Sequence, residues 1–341
     1  INTVIVLVLV KQKIWTVATA LVIGGCVSFL ILGSRLLTTS TVISSDSQSL
    51  IDVIALQPNV PMTLVKSSAE INELRERHLR LSQQALDKTI GDHAARLVVW
   101  PESPMNFTYA SDKAFQDWVA KFAVANRTSL IFNSLEPAGP DAYYNSALLV
   151  NQDGRMIAQY DKIRLMPFGE YVPLPQWLPG SSLITTIVGE FTPGEKYTLM
   201  PVGDYRVGVF ICIESAYPWI ARRLTNEGAD VLINISNDGY LGPTAVMRQH
   251  LANAIFRAVE NGRPVLRVTN TGISAWIHEN GMIADQTVSF HEDVRHWIIT
   301  PSSIGSTFYR RHGDLFVHVC VAITVILFAA AVFPRRRSLR Q

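Results

Sequence analysis

The sequence predicts a layered α/β domain, its helices covering sheets, carried between apolar segments long enough to span a membrane. Two observations predict it. Short strand-like apolar runs alternate with longer amphipathic stretches from residue 51 to residue 287, and charge-free runs stand near both ends of the chain. Composition agrees: 341 residues at 48% hydrophobic content and a mean hydropathy of +0.19 are too apolar for an ordinary soluble protein, yet the middle is rich in charge and turn residues.

In chain order, residues 1–37 form a membrane segment, in which 1–10 read as part of a span and 14–33 as a charge-free transmembrane helix, matching the roughly 20 residues that cross a bilayer. A Ser/Thr-rich linker, 38–50, leads to the domain at 51–305, and a second apolar segment, 306–334, precedes a basic tail at 335–341. Lys11 and Lys13 flank the first span, and Arg335, Arg336, Arg337 and Arg340 follow the last. Both flanks are therefore assigned to the cytoplasm and the domain to the far side of the membrane, against the weaker opposing charges of Arg35, Arg310 and Arg311.

Within the domain, strands are expected at Ile51–Leu56, Arg96–Trp100, Ser129–Asn133, Ser146–Val150 and Met156–Tyr160, with helices at Ser68–Ile90 and Asp112–Ala125. Asn151-Gln152-Asp153-Gly154 marks a hairpin turn. The second half repeats the alternation: strands at Val207–Ile211, Asp230–Ile235, Val265–Thr269, Ser274–His278 and Met282–Thr287, and helices at Pro218–Glu227 and Thr244–Asn261. Leu174–Phe191 keeps no period; it is either a loop folded over the core or an apolar lid that meets the bilayer.

Cys26 and Cys320 lie inside the apolar segments, leaving Cys212 as the one thiol in the exported domain, without a partner for an internal disulfide. It ends a strand, and a helix starting just after it would favour a thiolate through its N-terminal dipole. The alternative is a buried structural cysteine. Glu102, in Trp-Pro-Glu, and Lys162, in Tyr-Asp-Lys, likewise follow strands; strand ends are where α/β sheets build active sites. Singly, each is more often a solvated surface charge. Together the three supply a general base, a cation for an oxyanion and a nucleophile, with the Ile213 N–H as a second oxyanion donor.

The order Trp-Pro-Glu, then Tyr-Asp-Lys with Pro-Phe-Gly-Glu-Tyr-Val-Pro, then Cys-x-Glu, resembles the nitrilase or carbon–nitrogen hydrolase superfamily, and within it the membrane branch of apolipoprotein N-acyltransferases. Asn234-Ile-Ser-Asn-Asp-Gly-Tyr, Arg248-Gln-His, Arg257-Ala-Val-Glu-Asn-Gly-Arg-Pro and Thr269-Asn-Thr-Gly extend the likeness. The resemblance implies an αββα sandwich with a Glu102, Lys162, Cys212 triad. It also implies transfer of an acyl chain from a phospholipid, through a thioester, to the terminal amine of a diacylglyceryl lipoprotein or another amine acceptor. Glu170, Glu214 and Ile213 match further positions at the substrate site, though hydrogen bonding within loops accounts equally well for the two carboxylates. Ile213 stands where the transferases usually carry an aromatic residue. Two other outcomes therefore stay open: a divergent nitrilase-like protein of a conjugal-transfer system, and a membrane-anchored amidase releasing the acyl group to water.

Other classes lack support. The net charge of +2 and scattered basic residues leave no nucleic-acid footprint. There is no Gly-x-Ser-x-Gly elbow, phosphate-binding loop or zinc-helix His pair, so no metal or organic cofactor is expected. His291 and His296, flanking Glu292 and Asp293, read as a solvated loop.

Overall fold

In the computed structural model, two compact units are formed, one of Ser44–Arg310 and one of Ile1–Ile43 with Arg311–Gln341. The structure describes residues 50–62, 67–88, 95–102, 108–140, 142–173, 191–300 and 305–332. The expected spans at 1–10 and 14–33, the linker up to residue 49, most of the Leu174–Phe191 stretch and the basic tail lie outside them.

The strands of the larger unit are β1 (Ile51–Gln57), β2 (Ala95–Val99), β3 (Ser129–Pro137), β4 (Tyr143–Val150), β5 (Met156–Asp161), β6 (Leu199–Val202), β7 (Tyr205–Ile211), β8 (Val231–Ser236), β9 (Val265–Thr269), β10 (Ala275–Ile277), β11 (Ile283–Gln286) and β12 (Asp293–Ile299). Its long helices are α1 (Ser68–Leu86), α2 (Lys113–Asn126), α3 (Pro218–Glu227) and α4 (Ala245–Asn261). One six-stranded sheet runs β12-β1-β2-β3-β4-β5 and the other β11-β10-β9-β8-β7-β6. In the first, β1, β2 and β3 are parallel; in the second, β7, β8 and β9 are.

Side-chain alternation sorts the core into layers. Ile51, Val53 and Ala55 of β1 pack with Val207, Val209 and Ile211 of β7 between the sheets. Ile54 and Leu56 point the other way, onto Leu74 and Leu81 of α1 and Val119 of α2. On the second sheet, Phe210 and Leu232 meet Leu224 of α3 and Leu251 and Ala254 of α4. The result is a helix–sheet–sheet–helix sandwich. Because both faces of the central strands are covered, β1 and β8 are buried along their whole length and read as mostly apolar runs rather than alternating ones, interrupted by the buried polar residues Asp52, Gln57, Asn234 and Ser236.

Helix ends follow local chemistry. Ser67 caps α1 reciprocally with Glu70: the Glu70 N–H donates to Ser67 Oγ, and the Ser67 N–H to the Glu70 carboxylate. Asp112 accepts from the Phe115 N–H to start α2, and Gly262 ends α4 at a positive φ of 60°. Two expectations need correction, and one strand was not expected. The first helix ends at Leu86 rather than Ile90. A short edge strand, β6, forms although Pro201 lies within it, a proline that an edge position tolerates. The expected loop around His296 belongs to β12, which pairs antiparallel with β1 and brings His296 onto the buried carboxylate of Asp52.

A short helix, α5 (Phe308–His312), follows, and in the smaller unit α6 (Leu315–Val332) exposes Phe316, Val317, Val321 and Val325. Among the described residues, no helix is long and apolar enough to cross a membrane.

Candidate active site

The C-terminal ends of the parallel strands of both sheets deliver the site. Beyond β2 the chain runs through Trp100 and Pro101 to Glu102; beyond β7 comes Cys212; beyond β8 come Asn237 and Asp238. The two sheets are tied at this edge, where the Asn237 N–H donates to Glu102 Oε2 at 3.0 Å. Lys162 follows β5 directly and is held at both backbone groups: its N–H donates to the Asn145 carbonyl at 2.8 Å, and its carbonyl accepts from Gly194 at 2.8 Å. Gly194 is required there, since a Cβ would lie 2.2 Å from the Asp161 carbonyl oxygen.

Lys162 is 1% exposed. Its Nζ donates to Glu170 Oε1 at 2.8 Å and to Glu102 Oε1 at 3.3 Å, so two carboxylates share one buried ammonium. Burial opposes that charge, but the carboxylates of Glu102 and Glu170 outweigh it and raise the Lys162 pKa above the ordinary lysine value. Asn145 forms the other side of the bridge, donating both amide hydrogens, to Glu102 Oε1 at 3.0 Å and Glu170 Oε1 at 2.7 Å. Its own Oδ1 accepts from Asn133 Nδ2 at 2.7 Å, which fixes the amide's orientation. The Met166 N–H donates to Glu170 Oε2 at 2.7 Å.

Cys212 is partly accessible and adopts a φ of 51°. For a residue with a side chain, such a left-handed backbone costs on the order of 1–3 kcal/mol, and it persists where the surroundings enforce it. The residues after it form a short 3-10 turn, Cys212–Ala216, and α3 starts only at Pro218. This corrects the expected helix dipole at the sulfur. Desolvation and the negative charge of Glu102 push the Cys212 thiol up to about 12 despite the opposing pull of Lys162, so the resting group is a thiol rather than a thiolate. The sulfur thus feels the charges of Glu102, Lys162, Asp238 and Glu170.

Glu214 does something else. Its Oε1 accepts from the Ile163 and Arg164 N–H groups at 2.7 and 3.0 Å, and its Oε2 from the Ile211 N–H at 2.7 Å and the Tyr160 hydroxyl at 2.9 Å. These four donors staple the segment after Lys162 to the end of β7 and occupy both carboxylate oxygens. Burial pushes Glu214 up to about 7, against the pull of its hydrogen bonds. Glu214→Gln turns an amide N–H toward Ile211 and is expected to cost about 2 kcal/mol in urea unfolding at pH 8. At pH 6 the loss should be larger by about 1 kcal/mol, because a carboxyl held up to about 7 in the folded protein gains stability as it protonates, and the amide does not titrate.

The five polar groups named from the sequence therefore divide. Glu102 and Glu170 both meet Lys162, Cys212 lies within their field, and Glu214 braces the loops from behind. Sequence reasoning missed Asn133 and Asn145, because a neutral amide carries no signal of charge or spacing; Asn237 lies within the Asn234-Ile-Ser-Asn-Asp-Gly-Tyr motif but receives no role from it.

The carbon-nitrogen hydrolase family model matches residues 54–308. The chain is 33% identical over 290 residues to the apolipoprotein N-acyltransferase of Geobacter metallireducens, covering 84% of this chain and 54% of that protein. It is 31% identical over 283 residues to the enzyme of the same name from Bradyrhizobium diazoefficiens, covering 80% and 52%. It thus spans about half the length of the curated relatives it matches. In three dimensions it is similar to Nit3 of Saccharomyces cerevisiae, a member of branch 10 of the nitrilase superfamily, with a TM-score of 0.57 at 18% identity, covering 87% of this chain and 100% of that one. That neighbour shares the two-sheet fold, and the family match extends from β1 to the start of α5, across every strand end that builds the site: the chain belongs to the carbon-nitrogen hydrolase family of enzymes.

Proposed function

We propose that the protein is a membrane-bound acyltransferase, which takes a fatty acyl chain from a phospholipid onto Cys212 and passes it to the terminal amine of a lipoprotein. The observation that carries the reading is the buried Lys162 ammonium set between Glu102 and Glu170 beside a protonated thiol. Glu102 takes the Cys212 proton as sulfur attacks the ester carbonyl. Lys162 and the Ile213 N–H stabilise the oxyanion. Collapse breaks the ester C–O bond, and Glu102 returns the proton to the departing alcohol. In the second half the acceptor amine attacks the thioester, Glu102 removes one of its protons, the C–S bond breaks, and the proton returns to sulfur. Glu170 shares Lys162 with Glu102 and holds the ammonium in place between the steps.

The transferases among its relatives support this substrate class. The charge-free run at 14–33 and the apolar helix α6 support membrane attachment, with the catalytic unit on the side opposite the basic flanks. Each buried methylene of an acyl chain contributes about 0.8 kcal/mol, so a site supplied from the bilayer avoids transfer of that chain through water.

The test uses the full chain in phosphatidylethanolamine liposomes. Intact-mass measurement should show an acyl adduct on Cys212 that hydroxylamine removes, and a diacylglyceryl peptide should then discharge it and become N-acylated. Discharge to water with no acylated peptide would overturn the amine acceptor; absence of any adduct would overturn the reading as a whole.

A further inference from the structure

Behind the nucleophile lies a buried polar chain that the acyl-transfer steps do not use. His250 Nε2 donates to the Cys212 carbonyl oxygen at 3.0 Å, an oxygen that can only accept. The ring's other nitrogen, Nδ1, lies 2.9 Å from Asp238 Oδ1 and 3.2 Å from Arg267 Nη2. Arg267 is fully buried and donates to Asp238 Oδ2 at 2.7 Å and to Asn234 Oδ1 at 2.6 Å, while Ser236 Oγ donates to Asp238 Oδ1 at 3.0 Å. Burial opposes ionisation of Asp238, but Arg267 and His250 outweigh it and hold the carboxyl below its usual range. Gly272 lets the carboxylate fit: a Cβ there would lie 2.1 Å from Asp238 Oδ2.

This chain ends on a particular peptide plane. Carbonyl and N–H groups of a planar trans peptide point to opposite sides, so the hydrogen bond that fixes the Cys212 carbonyl also fixes the direction of the Ile213 N–H. One helical face holds the whole turn, because Arg257, two turns further along α4, donates to the Ser215 carbonyl at 2.8 Å. Cys212 itself holds a left-handed φ of 51°, and its carbonyl meets α4 at His250.

We infer that His250, oriented by Asp238 and Arg267, is a positioning residue that aims the Ile213 N–H at the oxyanion. It acts through the backbone of the nucleophile rather than on substrate. The inference rests on Cys212 being the acylated nucleophile. It further gives the loop after β8 two duties, since the Asn237 N–H holds Glu102 while Asp238 orients His250: one loop sets both the base and the direction of the oxyanion donor.

Two substitutions separate positioning from mere packing. His250→Asn retains an amide able to meet Asp238 but too short to reach the Cys212 carbonyl, whereas His250→Gln places a donor near the position of Nε2. Two rates are read on the full chain in phosphatidylethanolamine liposomes: acyl-adduct formation, which needs an oxyanion donor, and alkylation of the same thiol by iodoacetamide, a displacement that forms no oxyanion. His250→Asn should slow acylation about 100-fold, His250→Gln less than about tenfold, with alkylation unchanged in both. Acylation of His250→Asn at the parent rate overturns the inference, as does equal loss of acylation and alkylation in both variants. Should His250→Asn fail to fold, a folded His250→Gln that has lost acylation beyond tenfold overturns it equally. An unsubstituted protein that forms no adduct instead removes the nucleophile on which the inference stands.

Discussion

Cys212→Ala is expected to abolish adduct formation and lower acyl transfer by about 10⁴-fold or more, the scale on which loss of a covalent nucleophile is felt. The thiol's environment makes the prediction sharper than simple loss of a reactive group. With its pKa pushed up to about 12, only about one molecule in 10⁴ carries a thiolate at pH 8. Alkylation by iodoacetamide in the absence of an acyl donor should therefore be slow at pH 8 and rise about tenfold per pH unit up to pH 10. Acylation should not show that steep rise, because Glu102 removes the proton as the bond forms. Glu102→Gln would then abolish acylation. A thiol that alkylates at its full rate near pH 7 would contradict the resting state described above, and an acylated Cys212→Ala protein would place the adduct elsewhere.

Much of the fold is legible in the sequence because its central strands are buried on both faces. Val207–Ile211 and Val265–Thr269 are strands at the expected residues, each a short apolar run bounded by turn or polar residues. Two of the four edge strands, β6 and β12, are not legible. β6 holds a proline and β12 mixes Asp293, Arg295 and His296 with apolar residues, so their pairing with β7 and β1 is decided by tertiary contacts rather than by local pattern. The site divides along the same line. Glu102, Lys162 and Cys212 stand out as polar groups at the ends of apolar strands. Asn145 does not, since its value lies in bridging Glu102 and Glu170, residues 43 and 25 positions away. The expected helix after Cys212 also failed for a tertiary reason: Glu214, Arg257 and His250 bind the turn from three sides, and the helix begins only beyond it, at Pro218.

Lys162→Met should produce the second large effect, and on two quantities at once. In the native protein the ammonium is the shared partner of two buried carboxylates, each within 3.3 Å. Without it, Glu102 and Glu170 face each other across Asn145 with no cation between them. Breaking a buried ion pair by removing one member costs about 3–5 kcal/mol, so urea unfolding at pH 8 should show a loss of that order. Acylation should fall by about 10³-fold, because the charge facing the oxyanion is gone. A second substitution separates the two roles. Glu170→Gln in the Lys162→Met background removes one of the two stranded charges while leaving an amide oxygen for the Met166 N–H, so it should restore a large part of the lost stability. It should restore no activity, since neither the base nor the nucleophile regains an opposing cation. If stability and acylation instead return together, Lys162 serves the reaction only by neutralising its neighbours, and oxyanion stabilisation falls to the Ile213 N–H alone.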